Sequence, residues 1–299
     1  MIYLEPQMEQ FSIKDLERLS GINAHTIRIW ERRYNLIEPD RTDTNRRRYS
    51  DNDLRRIINV AILNRNGIKI SKIARMGDAG IDGKVAELLS APASASTEID
   101  TLIMAMLALD RRAISDVIDR SVKRRGFSET VTEIFFPFMV RTGSMWQTGT
   151  ISPGYEHFMT NIFRSSLISA IESITEEPGP GAKRVLLYLP ENELHELALL
   201  LYAYLIRKAG NEILYLGQMT PLDSVISISL TWGPHIIVTG SSTALPPNPL
   251  KYLTQLSTEI PDSKILIAGM FASFKGIEKI RNITPVNTPE TLLKALVKK

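Results

Sequence analysis

The chain contains no cysteine among its 299 residues. This absence excludes disulfides, thiolate zinc sites and thiol redox switches. No apolar run approaches the roughly 18 residues of a membrane span, and the first six residues do not resemble a signal peptide. Walker loops, Gly-x-Gly-x-x-Gly, His-Glu-x-x-His and Gly-x-Ser-x-Gly are also missing. We therefore expect a cytoplasmic protein with no membrane partner and none of these enzyme chemistries.

The charge of the chain is unevenly distributed. Its hydrophobic content of 43% is ample for packed cores, and its length allows two or three domains. Residues 1–80 hold 15 Lys and Arg against 11 Asp and Glu, whereas the remainder holds 21 against 22. The positive field thus belongs to the first 80 residues, and such a field favours a polyanionic partner.

Two short helical patterns joined by a glycine turn follow Ser12. Ser12 and Asp15 are typical of a helix start, because the hydroxyl accepts from a first-turn N–H and the carboxylate lies at the positive end of the helix dipole. Gly21 supplies the turn, and Asn23 can cap a second helix. This spacing predicts a helix-turn-helix.

The second helix has the pattern of a DNA-reading helix. Ile27 and Trp30 form an inward stripe at i, i+3. The outer face holds donors suited to base edges and phosphates, namely His25, Thr26, Arg28, Arg32 and Arg33. We expect these side chains to bind the major groove of double-stranded DNA, although charges on the solvated face of an ordinary helical domain are the alternative.

A turn-rich cationic segment follows Pro39. It begins at Arg41 and ends in the run Arg46, Arg47, Arg48 and Tyr49. Such a segment predicts a β-hairpin wing whose last four residues bind phosphates or the minor groove. Ser50 then begins the next helix, with Asp53 at capping distance.

These residues resemble the MerR family of winged-helix regulators, and within it the CarH/LitR/MlrA-like branch. The resemblance rests on the run Thr26-Ile27-Arg28-Ile29-Trp30-Glu31-Arg32-Arg33-Tyr34, then Leu36, Pro39, Arg41 and Arg48-Tyr49-Ser50. It implies a DNA-binding domain over residues 1–78 that binds a palindromic operator. A palindrome in turn implies a homodimer or a higher homo-oligomer.

Downstream of the wing the pattern is first helical. We predict helices over residues 51–64 and 69–76, and a four-helix bundle over 97–177. Between them, residues 79–96 are rich in small residues and predict a linker whose middle can be helical. Over 182–299, five short apolar runs alternate with helical patterns, which predicts a flavodoxin-like doubly wound parallel sheet. The predicted fold class is therefore multidomain, α and α/β.

The loop after the first of these strands reads Glu193-x-His195-x-x-Ala198. A lone histidine there can be an exposed loop or capping residue. This part of the chain, however, resembles the cobalamin-binding domain, whose motif is Asp-x-His-x-x-Gly. The resemblance implies that His195 ligates cobalt and that Glu193 hydrogen-bonds its imidazole.

The same resemblance implies a groove for the nucleotide tail of cobalamin. Ser241 and Ser242, after the third strand, and Gly269, after the fourth, correspond to residues that line this groove. The sequence departs from the family at Ala198 and Ala268, where the family has glycine.

In the helical region, Trp146 is followed after nine residues by Glu156-His157. By resemblance to the light-sensing branch, these three residues would cover the upper face of adenosylcobalamin. Without that context, the tryptophan is a core residue and the pair a surface feature.

The sequence therefore predicts a transcriptional regulator, not an enzyme, whose C-terminal region senses a corrinoid, with light acting through adenosylcobalamin. One alternative is a regulator that has lost the cofactor and responds to another ligand or to a protein partner. A remote alternative is a corrinoid enzyme module, but no residues remain for its catalytic barrel.

Overall fold

The computed structural model describes residues 11–42, 45–90, 94–147, 151–242 and 245–297. The chain divides into two compact units, Met1–Met159 and Thr160–Lys299. None of the helices within the described ranges is long and apolar enough to cross a membrane.

The first unit begins with the predicted winged helix-turn-helix. Its elements are α1 (Ile13–Ser20), α2 (Ala24–Tyr34), β1 (Asp40–Arg41), β2 (Arg47–Arg48) and α3 (Asp51–Arg65). Capping boxes at Ser12 and Ser50 begin α1 and α3, as predicted. Gly21 ends α1 in the left-handed region with φ +68°, which glycine adopts without strain. Strands β1 and β2 pair antiparallel and form the wing.

After α3 the helix in the predicted linker is longer than a helical middle. Helix α4 (Ile70–Ile73) is shorter than expected, and α5 (Gly77–Ser90) occupies most of the region predicted to be a linker. Ile81 and Val85 are buried on one face of α5, and Asn59 Nδ2 donates to Asp82 Oδ1 at 2.7 Å. Packing on α3 thus stabilises a helix in spite of its glycines, and the composition of the segment did not indicate how far this helix extends.

The predicted helical bundle comprises four helical stretches. The first two are α6 (Ala95–Leu107) and α7 (Arg111–Arg125). The third comprises α8 (Phe127–Thr130), a π-helical turn (Val131–Phe135) and α9 (Phe136–Gln147). The fourth is α10 (Pro153–Glu172). Helix α10 continues from the first unit into the second.

The second unit carries the predicted parallel sheet. Its elements are β3 (Arg184–Pro190), α11 (Leu197–Lys208), β4 (Glu212–Thr220), α12 (Leu222–Trp232), β5 (Ile236–Ser241), α13 (Pro249–Glu259), β6 (Lys264–Gly269), β7 (Ile283–Pro285) and α14 (Pro289–Val297). The strand order β4-β3-β5-β6-β7, all parallel, confirms the flavodoxin-like prediction. In this topology ligands bind at the carboxyl ends of the strands, at the switch point between β3 and β5.

Candidate functional site

Helix α2 presents the predicted outer face. Ile27 is fully buried and Trp30 nearly so, so the inward stripe packs as its spacing predicted. On the opposite face His25, Arg28, Arg32 and Arg33 are exposed, and Thr26 is half-buried. A row of exposed donors on the second helix of a helix-turn-helix is the arrangement that enters a major groove.

The wing is attached to α2 through Glu31. Arg47 Nε donates to Glu31 Oε1 at 3.0 Å, and the hydroxyl of Tyr49 donates to Glu31 Oε2 at 3.2 Å. Burial, followed by the charge of Glu31, raises the pKa of Tyr49, so its hydroxyl stays a donor. Arg46 is exposed and Arg48 is half-buried.

Tyr49 therefore requires a correction. Its side chain is fully buried, whereas the sequence predicted a contact with DNA. The physical reason is its bond to Glu31, which fixes the base of the wing on α2. Sequence reasoning missed the role of Glu31, because a carboxylate inside a basic helix has no obvious function before its partners are known.

The predicted histidine loop follows β3 and is organised around a buried carboxylate. Glu193 is fully buried, and its Oε1 accepts from the main-chain N–H of His195 at 2.9 Å and contacts His195 Nδ1 at 2.7 Å. Its Oε2 accepts from Ser241 Oγ at 3.2 Å and from the N–H of Ser242 at 2.6 Å. A carboxylate on one imidazole nitrogen is the usual way to orient a histidine that ligates a metal through the other.

Apolar side chains surround this loop at the carboxyl edge of the sheet. Leu194 is 55% exposed, Met219 50% and Met270 41%. Gln218 Nε2 donates to the carbonyl of Leu194 at 2.6 Å, and the N–H of Met270 donates to the carbonyl of Ser241 at 2.8 Å. The ends of β3, β4 and β6 place these three residues on the same edge of the sheet as His195, whose side chain is 38% exposed. Large exposed apolar side chains around a polar group are typical of a ligand surface.

The residues predicted to line the tail groove lie where β5 and β6 end. Gly240 pairs with Ala268 across the two strands, and a methyl built on Gly240 would lie 3.3 Å from that of Ala268. The methyl of Ala268 thus faces a glycine, so β5 and β6 pair here without a clash between side chains.

Gly269 has a backbone role. Its φ is +63°, and a methyl built on it would overlap the carbonyl oxygen of Ser241. Glycine is therefore required for β6 to end against β5, independently of any ligand.

A second carboxylate network, which sequence reasoning missed, adjoins the histidine loop. Glu196 Oε1 accepts from Arg164 Nε at 2.7 Å, and Glu196 Oε2 accepts from the hydroxyl of Tyr215 at 2.7 Å. Burial and Glu196 raise the pKa of Tyr215, and the bond to Glu196 raises that of Arg164. The residue after His195 is thereby tied to α10 and β4. Its partners are 32 and 19 residues away along the chain, beyond the reach of a local pattern.

The predicted upper-face residues lie on α9 and α10. Trp146 is in the last turn of α9, and its side chain is outside the described part of the structure. Glu156 Oε2 lies 3.0 Å from His157 Nδ1 in the first turn of α10, with His157 the more exposed of the two.

Comparison with known proteins gives two family matches. Residues 11–79 match the family described as MerR HTH family regulatory protein, and residues 98–168 match the B12 binding domain. The HTH-type transcriptional repressor CarH of Myxococcus xanthus is 28% identical over 233 residues, or 76% of this chain and 77% of that protein. The repressor CarA of the same organism is 22% identical over 231 residues, or 75% and 74%.

Among solved structures, the monomethylamine corrinoid protein of Methanosarcina barkeri aligns with a TM-score of 0.54 and 16% identity. The alignment covers 68% of this chain and 99% of that protein. At this identity the likeness shows a shared fold.

Proposed function

We propose that this chain, a DNA-binding transcriptional regulator of the MerR type that carries a B12 binding domain, binds a cobalamin and changes its operator affinity in response. The operator is palindromic double-stranded DNA, and the regulator binds it as a homo-oligomer. Exposed donors on α2 and the wing beside them support the DNA part of the proposal. The names of its relatives CarH and CarA, both transcriptional repressors, favour a regulator over a corrinoid enzyme module.

The carboxylate network of Glu193 carries the cobalamin part of the proposal. Because Oε1 of this buried group contacts His195 Nδ1, the nitrogen that would ligate cobalt is Nε2. The main-chain and serine donors on Glu193 keep the carboxylate in place, so the imidazole is oriented before any ligand arrives. The residues present therefore fit a corrinoid with a histidine lower ligand.

The apolar edge supports the same assignment. Leu194, Met219 and Met270 are exposed at the carboxyl edge of the sheet, which also carries His195. We propose that a macrocycle bound through this histidine covers them. Burial of such side chains would contribute about 25 cal/mol per Å² of apolar surface removed from water.

We further propose that the bound form is adenosylcobalamin, with Trp146, Glu156 and His157 on its upper side. When bound, this cofactor supplies a cobalt–carbon bond that light can cleave. An indole favours the adenosyl group over smaller axial ligands because only adenosyl offers a large flat surface to stack on. Loss of the axial group would then change the assembly and its operator affinity.

A regulator that responds to another ligand or to a protein partner is the second candidate. Ala268 favours it, because a methyl stands where the cobalamin family has a glycine next to the nucleotide tail. Tight binding of cobalamin would exclude this candidate.

The deciding experiment is a visible absorption spectrum of protein incubated in the dark with adenosyl-, methyl- or hydroxocobalamin and then desalted. We expect retention of the corrinoid, with adenosylcobalamin preferred, and loss of that preference in Trp146→Ala. His195→Ala should shift the absorption bands and weaken retention.

His235→Asn is the matched control. The Nδ1 of His235 accepts from the main-chain N–H of Arg184 at 2.9 Å, and an asparagine amide oxygen can replace it. This variant should keep the wild-type spectrum. An unchanged spectrum in His195→Ala would instead remove His195 as the ligand. Sedimentation before and after illumination tests the light response, which fails if assembly and operator affinity both stay constant.

A further inference from the structure

One buried carboxylate joins three helices of the first unit. The side chain of Asp100 on α6 is 1% exposed. Its Oδ1 accepts from Arg141 Nη1 on α9 at 2.6 Å, and its Oδ2 accepts from Arg65 Nη1 on α3. We call Asp100, Arg65 and Arg141 the Asp100 clamp.

Both arginines of the clamp also donate to the main chain of α1. Arg65 Nη2 donates to the carbonyl of Ser20, and Arg141 Nη2 donates to the carbonyl of Leu19. These carbonyls belong to the last turn of a helix, where main-chain acceptors lack intrahelical partners and the dipole favours cations. Helix α1 is therefore capped by side chains from α3 and α9.

The clamp lies against the turn of the helix-turn-helix. Gly21 follows the two capped carbonyls, and a methyl built on it would lie 2.6 Å from Arg65 Nη2. The turn sets the angle between α1 and α2, so a displacement of the arginines would be felt at the helix that reads DNA.

The same clamp reaches toward the predicted ligand region. Arg141 and Trp146 lie on α9, five residues apart, which corresponds to about 7.5 Å along a helix axis. A helix moves as a rigid element over such a distance. A shift of α9 would therefore act on α1 through Arg141 and on α6 through Asp100.

We propose that the Asp100 clamp sets the orientation of the helix-turn-helix relative to α6 and α9, and thereby sets operator affinity. Its action on the free protein is independent of any ligand. Transmission of ligand state through α9 is a consequence that rests on the proposed function.

The test uses Arg141→Lys in the full chain without ligand. A lysine ammonium can still pair with Asp100, but it lacks the planar fork that binds Asp100 and the Leu19 carbonyl together. We expect faster amide exchange over residues 19–21, where the N–H of Gly21 donates to Glu17 O at 2.8 Å. Operator affinity should change by about 5-fold or more, the lower end of typical coupling between sites.

Arg124→Lys is the matched control. Arg124 Nη2 donates to Glu98 Oε1 at 2.7 Å. Glu98 lies on α6, as Asp100 does, and it keeps a second partner in Arg125. Within the described residues, no hydrogen bond or ion pair joins this pair to α1. The control should therefore leave exchange over residues 19–21 and operator affinity as in wild type.

The outcomes separate the clamp from the cobalamin proposal. Equal exchange and equal operator affinity in Arg141→Lys and Arg124→Lys, with both folded by thermal melting, would overturn the clamp. If the wild-type protein binds no cobalamin, amide exchange and operator affinity measured without ligand still test the clamp proposal. If cobalamin binds, Arg141→Lys should keep the corrinoid spectrum while the ratio of operator affinities with and without cobalamin moves toward one.

Discussion

The DNA-reading end and the histidine loop are built from contacts of different range. In the helix-turn-helix, the helix starts and the turn involve residues close in sequence, such as Ser12 with Asp15, three residues away. In the histidine loop, Glu193 draws on Ser241 and Ser242, 48 and 49 residues away. The first site is therefore specified by local pattern, whereas the second exists only when the whole sheet is folded.

The largest expected effect is a loss of stability at Gly269, where β6 approaches the main chain of β5 beside the histidine loop. In Gly269→Ala the added methyl would overlap the carbonyl oxygen of Ser241 at a positive φ. Left-handed backbone and overpacking together should destabilise the fold by about 3–5 kcal/mol. Urea unfolding of the full chain, followed by far-ultraviolet circular dichroism, measures this loss.

Gly233→Ala is the matched control because Gly233 has the same φ of +63°. A methyl built on Gly233 would lie 3.2 Å from Arg184 Nη2, its nearest neighbour, which is the end of a flexible side chain. We expect a loss of about 1–2 kcal/mol, the backbone contribution alone. Equal losses in the two variants would mean that the approach of β6 to β5 carries no special cost.

The second prediction concerns the orientation of His195. Glu193→Gln keeps the shape of the side chain but replaces the carboxylate, whose oxygens make four hydrogen bonds, with a neutral amide. Loss of such a partner typically weakens metal binding by about 10–100-fold, and we expect a weakening of this size for cobalamin. Titration followed by absorption measures it. Wild-type affinity in this variant would show that the long-range network is not needed for binding.

The same contrast explains what the sequence could predict. Helix starts at Ser12 and Ser50, the Gly21 turn and five strands follow from local spacing, and the structure confirms them. The full extent of α5 and the burial of Tyr49 were not predicted, because both depend on packing partners. The clamp was not predicted at all, since its carboxylate and the two arginines lie 35 and 41 residues apart along the chain.

The third prediction separates base reading from backbone contact in the local site. Arg28 lies exposed on α2 and Arg46 lies exposed on the wing. Arg28→Ala should cost about 1–3 kcal/mol on the operator and less on random DNA. Arg46→Ala should weaken binding to both DNAs and reduce the salt slope by about 1. Fluorescence anisotropy at several salt concentrations distinguishes them, and equal losses on both DNAs for Arg28→Ala would exclude it from base reading.

The smallest expected effect concerns Tyr49, which the sequence predicted to contact DNA but which is buried in the structure. Tyr49→Phe removes the hydroxyl that donates to Glu31 but keeps the buried ring, and Glu31 retains Arg47. We expect a loss of stability of about 0.5–1.5 kcal/mol, the net contribution of one hydrogen bond. Operator affinity and its salt slope should stay within experimental error of wild type. A variant that keeps full stability yet loses operator affinity would mean that the hydroxyl of Tyr49 contacts DNA. The base of the wing would then depend on DNA binding, as the histidine loop depends on distant strands.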